Sequence, residues 1–201
     1  MKKVQASEDK KKKLENFWYY YKFHVLIGAF LLICVIVFVR DMLNKVTYDY
    51  TVAFLGDYTI NDEDSKALQA WFEAHGEDLN GDGEVHVQIG DYGASEDGDP
   101  NLFAAMQTKF TVDMQEGTSM IYFLSSKQYE KYKDMEIFPE KEEDYVLMKD
   151  CKGFQEAGNP ASVGDMMGAM RVISEDNKLW EDEEIQTYYE KCEALLQEFV
   201  G

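Results

Sequence analysis

Residues 48–72 read YDYTVAFLGDYTINDEDSKALQAWF, a strand and the helix that follows it. Tyr48–Leu55 is dense in β-branched and aromatic residues and stops at Gly56, the profile of a buried strand. Asn61 offers a side-chain oxygen to the orphan N–H groups of a helix, and Asp62, Glu63 and Asp64 set negative charge against its positive end. Ala67, Leu68, Trp71 and Phe72 recur at helical spacing and face a sheet, and Gly76 supplies a stop.

The same alternation repeats downstream. Val85–Ile89 (VHVQI) is a second strand, and Asp99-Pro100 sets a capping side chain before proline at the first helical position. Leu102, Phe103, Met106, Phe110 and Met114 form the apolar stripe of the helix, which Gly117 ends. Ser119–Leu124 (SMIYFL) is a third strand and Ser126–Tyr132 a third helix. Strands separated by amphipathic helices predict an α/β domain in three layers, α/β/α, around a mostly parallel sheet. Further on, Tyr145–Met148 and Ala169–Ser174 are candidate strands, the second at a sheet edge, and the glycine-rich 153–168 reads as loop. Glu181–Val200 is a helix with Ile185, Tyr188, Tyr189, Cys192, Leu195, Leu196 and Phe199 on one face.

Upstream lies FWYYYKFHVLIGAFLLICVIVFVR, Phe17–Arg40. Its uncharged run from Phe23 to Val39 makes about 26 Å of helix, close to the hydrocarbon thickness of a bilayer. Aromatic residues at one end and Arg40 at the other suit the two headgroup layers. The chain therefore divides into a basic tail (1–16), a transmembrane helix (17–40), a tether (41–47) and an α/β domain (48–201). A cleaved signal peptide is the rival reading, but the run ends VFVRDMLNK, without a small-residue cleavage site.

Charge orients this arrangement. Residues 1–40 hold eight basic and three acidic residues, so the totals of 20 and 39 leave 12 basic and 36 acidic for 41–201, a balance of −24. Seven lysines precede the apolar run, which puts the N-terminus in the cytoplasm and the acidic domain outside, in a single-pass protein of the cell membrane. Lipid is the partner of residues 17–40. The acidic balance excludes nucleic acid as a partner of the outer domain. Cys151 and Cys192 fall in that domain, and sequence leaves open whether they pair.

The sharpest local motif is Asp78-Leu79-Asn80-Gly81-Asp82-Gly83-Glu84. Oxygen side chains at alternate positions around glycine begin a calcium loop, with Asp78, Asn80, Asp82 and the Glu84 carbonyl as ligands. Its twelfth position is Ile89, so a carboxylate from elsewhere, such as Asp91, has to complete the site. A polar helix-to-strand turn is the alternative, and both stay open. Phosphate-cradling GxGxxG and GxxxxGK[ST] and the nucleophile elbow GxSxG do not occur. The histidines His24, His75 and His86 are scattered, and a pair of His75 or His86 with Ser95 is the one nucleophile–base combination worth placing.

The DLNGDGEV segment resembles calcium loops in surface proteins of Gram-positive anaerobes, the dockerin repeat among them. The opening that runs into LENFWYYYKFHVLIG is similar to small single-pass membrane proteins of clostridia-type bacteria. DYTVAFLGDYTINDEDSKALQAWF through GTSMIYFLSS resembles one lobe of an extracellular solute-binding protein. That resemblance implies a binding-protein-like lobe working outside the cell on an unidentified small ligand or protein. The expected function is recognition or assembly at the cell surface without catalysis. The alternatives are a calcium-dependent or metal-assisted surface enzyme and a subunit of a membrane transport complex.

Overall fold

The computed structural model describes residues 2–43, 46–174 and 176–201, in two compact units, Met1–Val46 and Thr47–Gly201. The first unit is one helix, α1 (Lys2–Leu43, 42 residues). It runs back over the basic tail and forward into the expected tether. Within it, Phe17–Arg40 is the one helical stretch among the described residues long and apolar enough to cross a membrane. Phe17 stacks on Tyr21, one turn on, with ring centroids 5.1 Å apart.

The second unit contains β1 (Tyr50–Leu55), α2 (Asp62–His75), β2 (Val87–Asp91), α3 (Pro100–Glu116), β3 (Ile121–Leu124), α4 (Ser126–Tyr132), β4 (Val146–Leu147), α5 (Lys152–Glu156), β5 (Met167–Met170) and α6 (Glu183–Val200). The five strands form one sheet in the order β2-β1-β3-β5-β4. β1 pairs parallel with β2 and β3, and β5 runs antiparallel between β3 and β4. Four of the five strands thus point the same way.

Side-chain alternation along β1 sorts the core. Tyr50, Val52 and Phe54 pack with Leu68, Trp71 and Phe72 of α2 and with Cys192, Leu195 and Phe199 of α6. Ala53 and Leu55 point the other way, into a cluster with Phe110 of α3, Tyr122 of β3, Tyr132 of α4 and Met167 of β5. The first cluster is an aromatic stack: Phe54 lies 5.0 Å from Phe123, and Phe199 lies 5.1 Å from Phe72 and 5.0 Å from Trp71.

The caps form as read. Asn61 accepts from the Asp64 N–H, Asp99 accepts from the Asn101 N–H ahead of Pro100, and Gly117 ends α3 at φ 67°. Gly76 differs. Its φ of −74° is open to any residue, and glycine is needed there because a Cβ would meet the Tyr50 ring at 2.9 Å and the Phe72 carbonyl at 3.0 Å.

Three expectations are corrected. The strand expected over 169–174 is β5, Met167–Met170, with 171–174 outside it, and it lies one place in from the edge because β4 returns along its far side. The region expected as loop contains α5, which packs Gly153 and Phe154 inward. Along the expected stripe of α3, Leu102 is exposed, and the fully buried positions are Phe110 and Asp113.

Cys151 and Cys192 are free and buried in the same aromatic cluster. Burial pushes the Cys151 thiol up to about 11 and the Cys192 thiol up to about 12 from an ordinary 9.0. An unfolded thiol ionises near 9.0 while the folded one stays neutral, so this contribution to stability is fully present below pH 9.0 and is lost as pH rises toward about 12. The expected result is that neither thiol reacts with a disulfide reagent at pH 8 until denaturant is added. Prompt labelling of either in the native protein would contradict this packing.

Candidate functional site

The acidic loop before β2 comes first. Asp78 accepts the Gly81 N–H at 2.6 Å and the Gly83 N–H at 2.8 Å through its two oxygens. Asn80 accepts the Asp82 N–H at 2.8 Å and donates to the Thr47 carbonyl at 3.1 Å. Asp82 accepts the Glu84 N–H at 3.0 Å, and the Glu84 carboxylate lies 3.5 Å from His86. Gly81 and Gly83 take φ of 76° and 94°, which explains why glycine alternates with acids here.

The residue that organises this loop is Asp49, just ahead of β1. Its buried carboxylate accepts from the N–H groups of Leu79, Asn80 and His86 at 2.8, 3.0 and 2.8 Å. The chemistry seen is backbone capping. Among the described residues no three His, Cys, Asp or Glu side chains gather to hold a metal ion. Asp91, the carboxylate offered as an example to complete a calcium site, closes the far end of β2, four residues and about 13 Å along the strand from Val87. Ile89, at the twelfth position, packs half-buried against the α2 side of the core.

The other end of the strands is more open. The chain leaves β1 toward β2 on one side and returns from β2 to β3 on the other, so connections diverge between the carboxyl ends of β1 and β3. In open α/β sheets that divergence leaves a crevice where ligands bind. A cleft of about 630 Å³ lies there, between residues 56–60, the start of α4 and residues 161–166.

Each wall has a local cause. Ser125 extends the β1–β3 pairing through its N–H to the Leu55 carbonyl at 3.0 Å and caps α4 through its hydroxyl. The same hydroxyl donates to Asp57 at 3.2 Å, and Gln128 donates to Asp57 at 3.4 Å. Asp91 holds the 57–60 loop by accepting the Ile60 N–H at 2.9 Å and the Gly93 N–H at 2.9 Å. Burial raises the Asp91 pKa, against the lowering effect of those bonds and of Lys109. Gly93 must be glycine, because a Cβ would run into the Tyr58 carbonyl. Ser162 donates its N–H and its hydroxyl to Asp64 at 2.8 and 2.6 Å, tying the opposite wall to α2. Burial alone would raise the Asp64 carboxyl, but the Ser162 and Asn61 bonds bring it below its ordinary value.

The cleft offers Asp57, Asp165 and the 75 % exposed ring of Tyr58. Its one lysine, Lys127, is paired with Glu96 at 3.1 Å. Asp165 is paired with Lys149 at 3.4 Å, which leaves Asp57 as the carboxylate held by neutral donors alone. Ser95, after β2, stands at the opposite end of that strand from His86 before it and from His75 at the end of α2, so neither histidine is placed to pair with it. His75 instead stacks on Trp71 at 4.0 Å.

Sequence reading passed over Asp49, Asp57 and Asp113. Asp113 accepts from the Tyr92 and Ser119 hydroxyls at 2.6 Å each and from Tyr122. Its one sequence signal was position, three residues after Phe110 on the buried side of α3.

Comparison of the chain with family models, curated proteins and solved structures returns no match. No family is assigned.

Proposed function

We propose that this protein is a single-pass, membrane-anchored recognition domain, with the N-terminus in the cytoplasm and the acidic unit outside the cell. In this reading the acidic unit is a three-layer lobe of binding-protein type that works by binding rather than turnover. The observation that carries the proposal is the cleft at the carboxyl ends of β1 and β3, where the crossovers diverge. Asp57, held by the neutral donors Ser125 and Gln128 in a cleft where Lys127 is paired with Glu96 and Asp165 with Lys149, favours a cationic or neutral hydroxylated ligand over an anionic one.

Thermal unfolding of the full chain in detergent, against a panel of cationic amino acids, polyamines and neutral sugars, tests this reading. A member of those classes is expected to raise the midpoint in a saturable way, and Asp57→Ala with Ser125→Ala is expected to abolish the rise. Stabilisation by anionic compounds alone, or by none of the panel, would count against the cleft. Orientation is checked separately: protease added to intact cells should remove the acidic unit and leave the basic tail protected.

A further inference from the structure

We propose that the inner end of the apolar helix carries an anionic-lipid site, in which Lys22, with Trp18 and Tyr19 on the same helical face, holds the headgroup phosphate of an acidic phospholipid. The inference rests on the reading of Phe17–Arg40 as a membrane span and involves neither the cleft nor the acidic unit. Lys22 comes one residue before the uncharged run that starts at Phe23, so its Cα lies at the edge of the hydrocarbon. A lysine there carries its ammonium out to the headgroups. Side chains of a helix lean toward its N-terminus, which is here the headgroup side. Trp18 and Tyr19 precede Lys22 by four and three residues, the spacing of helical neighbours, and both rings are exposed. An indole N–H, a phenol O–H and an ammonium thus share one face at headgroup depth, and a phosphate accepts from all three. The Lys22 ammonium itself lies 5.3 Å from the centroid of the Phe23 ring, a weak contact that a phosphate displaces.

The unbroken course of α1 decides which other lysines take part. It has neither glycine nor proline before Gly28, so residues 2–22 continue the helix of the span. Headgroups fill about 5–8 Å beyond the hydrocarbon, which four or five residues cross at about 1.5 Å each. Lys10–Lys13 stand nine to twelve residues before Lys22, about 14–18 Å along the axis. They lie about 6–13 Å past the headgroups, near the screening length of about 8–10 Å. The run therefore attracts an anionic inner leaflet from a distance, and Lys22 makes the contact. Residues 10–22 hold five lysines against Glu15 alone, a charge of +4. Lys2 and Lys3, about 29–30 Å from Lys22, are screened from the surface.

The test reconstitutes the full chain in phosphatidylcholine bilayers with a minor share of phosphatidylglycerol, and compares spin-labelled forms of the two lipids for immobilisation against the protein. Phosphatidylglycerol is expected to be favoured about threefold or more at low salt. Lys22→Gln keeps a good helix former and should at least halve that preference. Part of the preference should survive about 1 M salt, where a screening length of about 3 Å silences the 10–13 run, and Lys22→Gln should remove that part. Glutamine at all of Lys10–Lys13 should lower the preference at low salt only, and Lys2→Gln with Lys3→Gln should leave it unchanged. Equal immobilisation of the two lipids would overturn the proposal. So would a preference untouched by Lys22→Gln, or one lowered equally by Lys2→Gln with Lys3→Gln, since either would mean diffuse attraction without a site. Immobilisation of neither lipid would instead remove the membrane span, and the site with it.

Discussion

Replacing Asp113 with alanine is expected to destabilise the acidic unit by about 3–5 kcal/mol, since each buried donor left without a partner costs about 1–3 kcal/mol. The carboxylate is 4 % exposed and accepts from three hydroxyls, those of Tyr92, Ser119 and Tyr122. These bonds join α3 to the end of β2 and to both sides of the β3 entry. Burial first, and Asp113 second, push the Tyr92 and Tyr122 phenols far above their ordinary range, so both remain donors at any working pH. The 3 % exposed Arg171 sits in the same environment, donating to the Met114 carbonyl at 2.6 Å.

Asp113→Asn keeps the shape and one acceptor and should cost roughly half as much. Urea unfolding of the full chain in detergent measures both. A loss under about 1 kcal/mol for the alanine variant would mean that water re-satisfies the three hydroxyls. The total stability of such a domain is about 5–15 kcal/mol, so the larger loss consumes much of it.

Phe199→Ala is expected to cost about 3–5 kcal/mol, the range for deleting a buried aromatic ring and leaving a cavity. The ring is fully buried among Trp71, Phe72 and Phe123, at centroid distances of 5.0, 5.1 and 5.6 Å. It is also what keeps position 153 a glycine, because a Cβ there would strike the Phe199 ring. Gly153→Ala should therefore cost about 1–3 kcal/mol alone, through overpacking. Its cost should largely vanish in the Phe199→Ala background, because the two changes share one volume. Additive losses in the double variant would show that position 153 is constrained by something other than this ring.

Much of the architecture was legible in local signals. Asn61, Asp99-Pro100 and Gly117 marked helix boundaries because capping and backbone freedom are properties of a few adjacent residues. The stripe on α6 was visible because one face of it is buried over nearly its whole length. The misplaced edge strand and the unrecognised α5 failed for the opposite reason. β4 lies inside the candidate strand Tyr145–Met148, but its place beside β5 is a tertiary pairing with no local signal, and α5 has five residues, too few for a period to appear.

The acidic loop shows the same division. Glycine alternating with Asp and Asn told correctly of a tight polar turn, since the φ of Gly81 and Gly83 follows from local chemistry. The contribution of Asp49, 30 residues before Leu79, had no local signal: its carboxylate collects the Leu79 and Asn80 N–H groups of the loop. Local periodicity and composition established on their own an apolar helix of membrane-crossing length, an acidic α/β unit and most helix ends. Each of these rests on interactions within a few residues. Strand order, the carboxyl-end cleft and the Asp113 network required tertiary contacts, because each joins groups that are distant along the chain and carry no shared local signal.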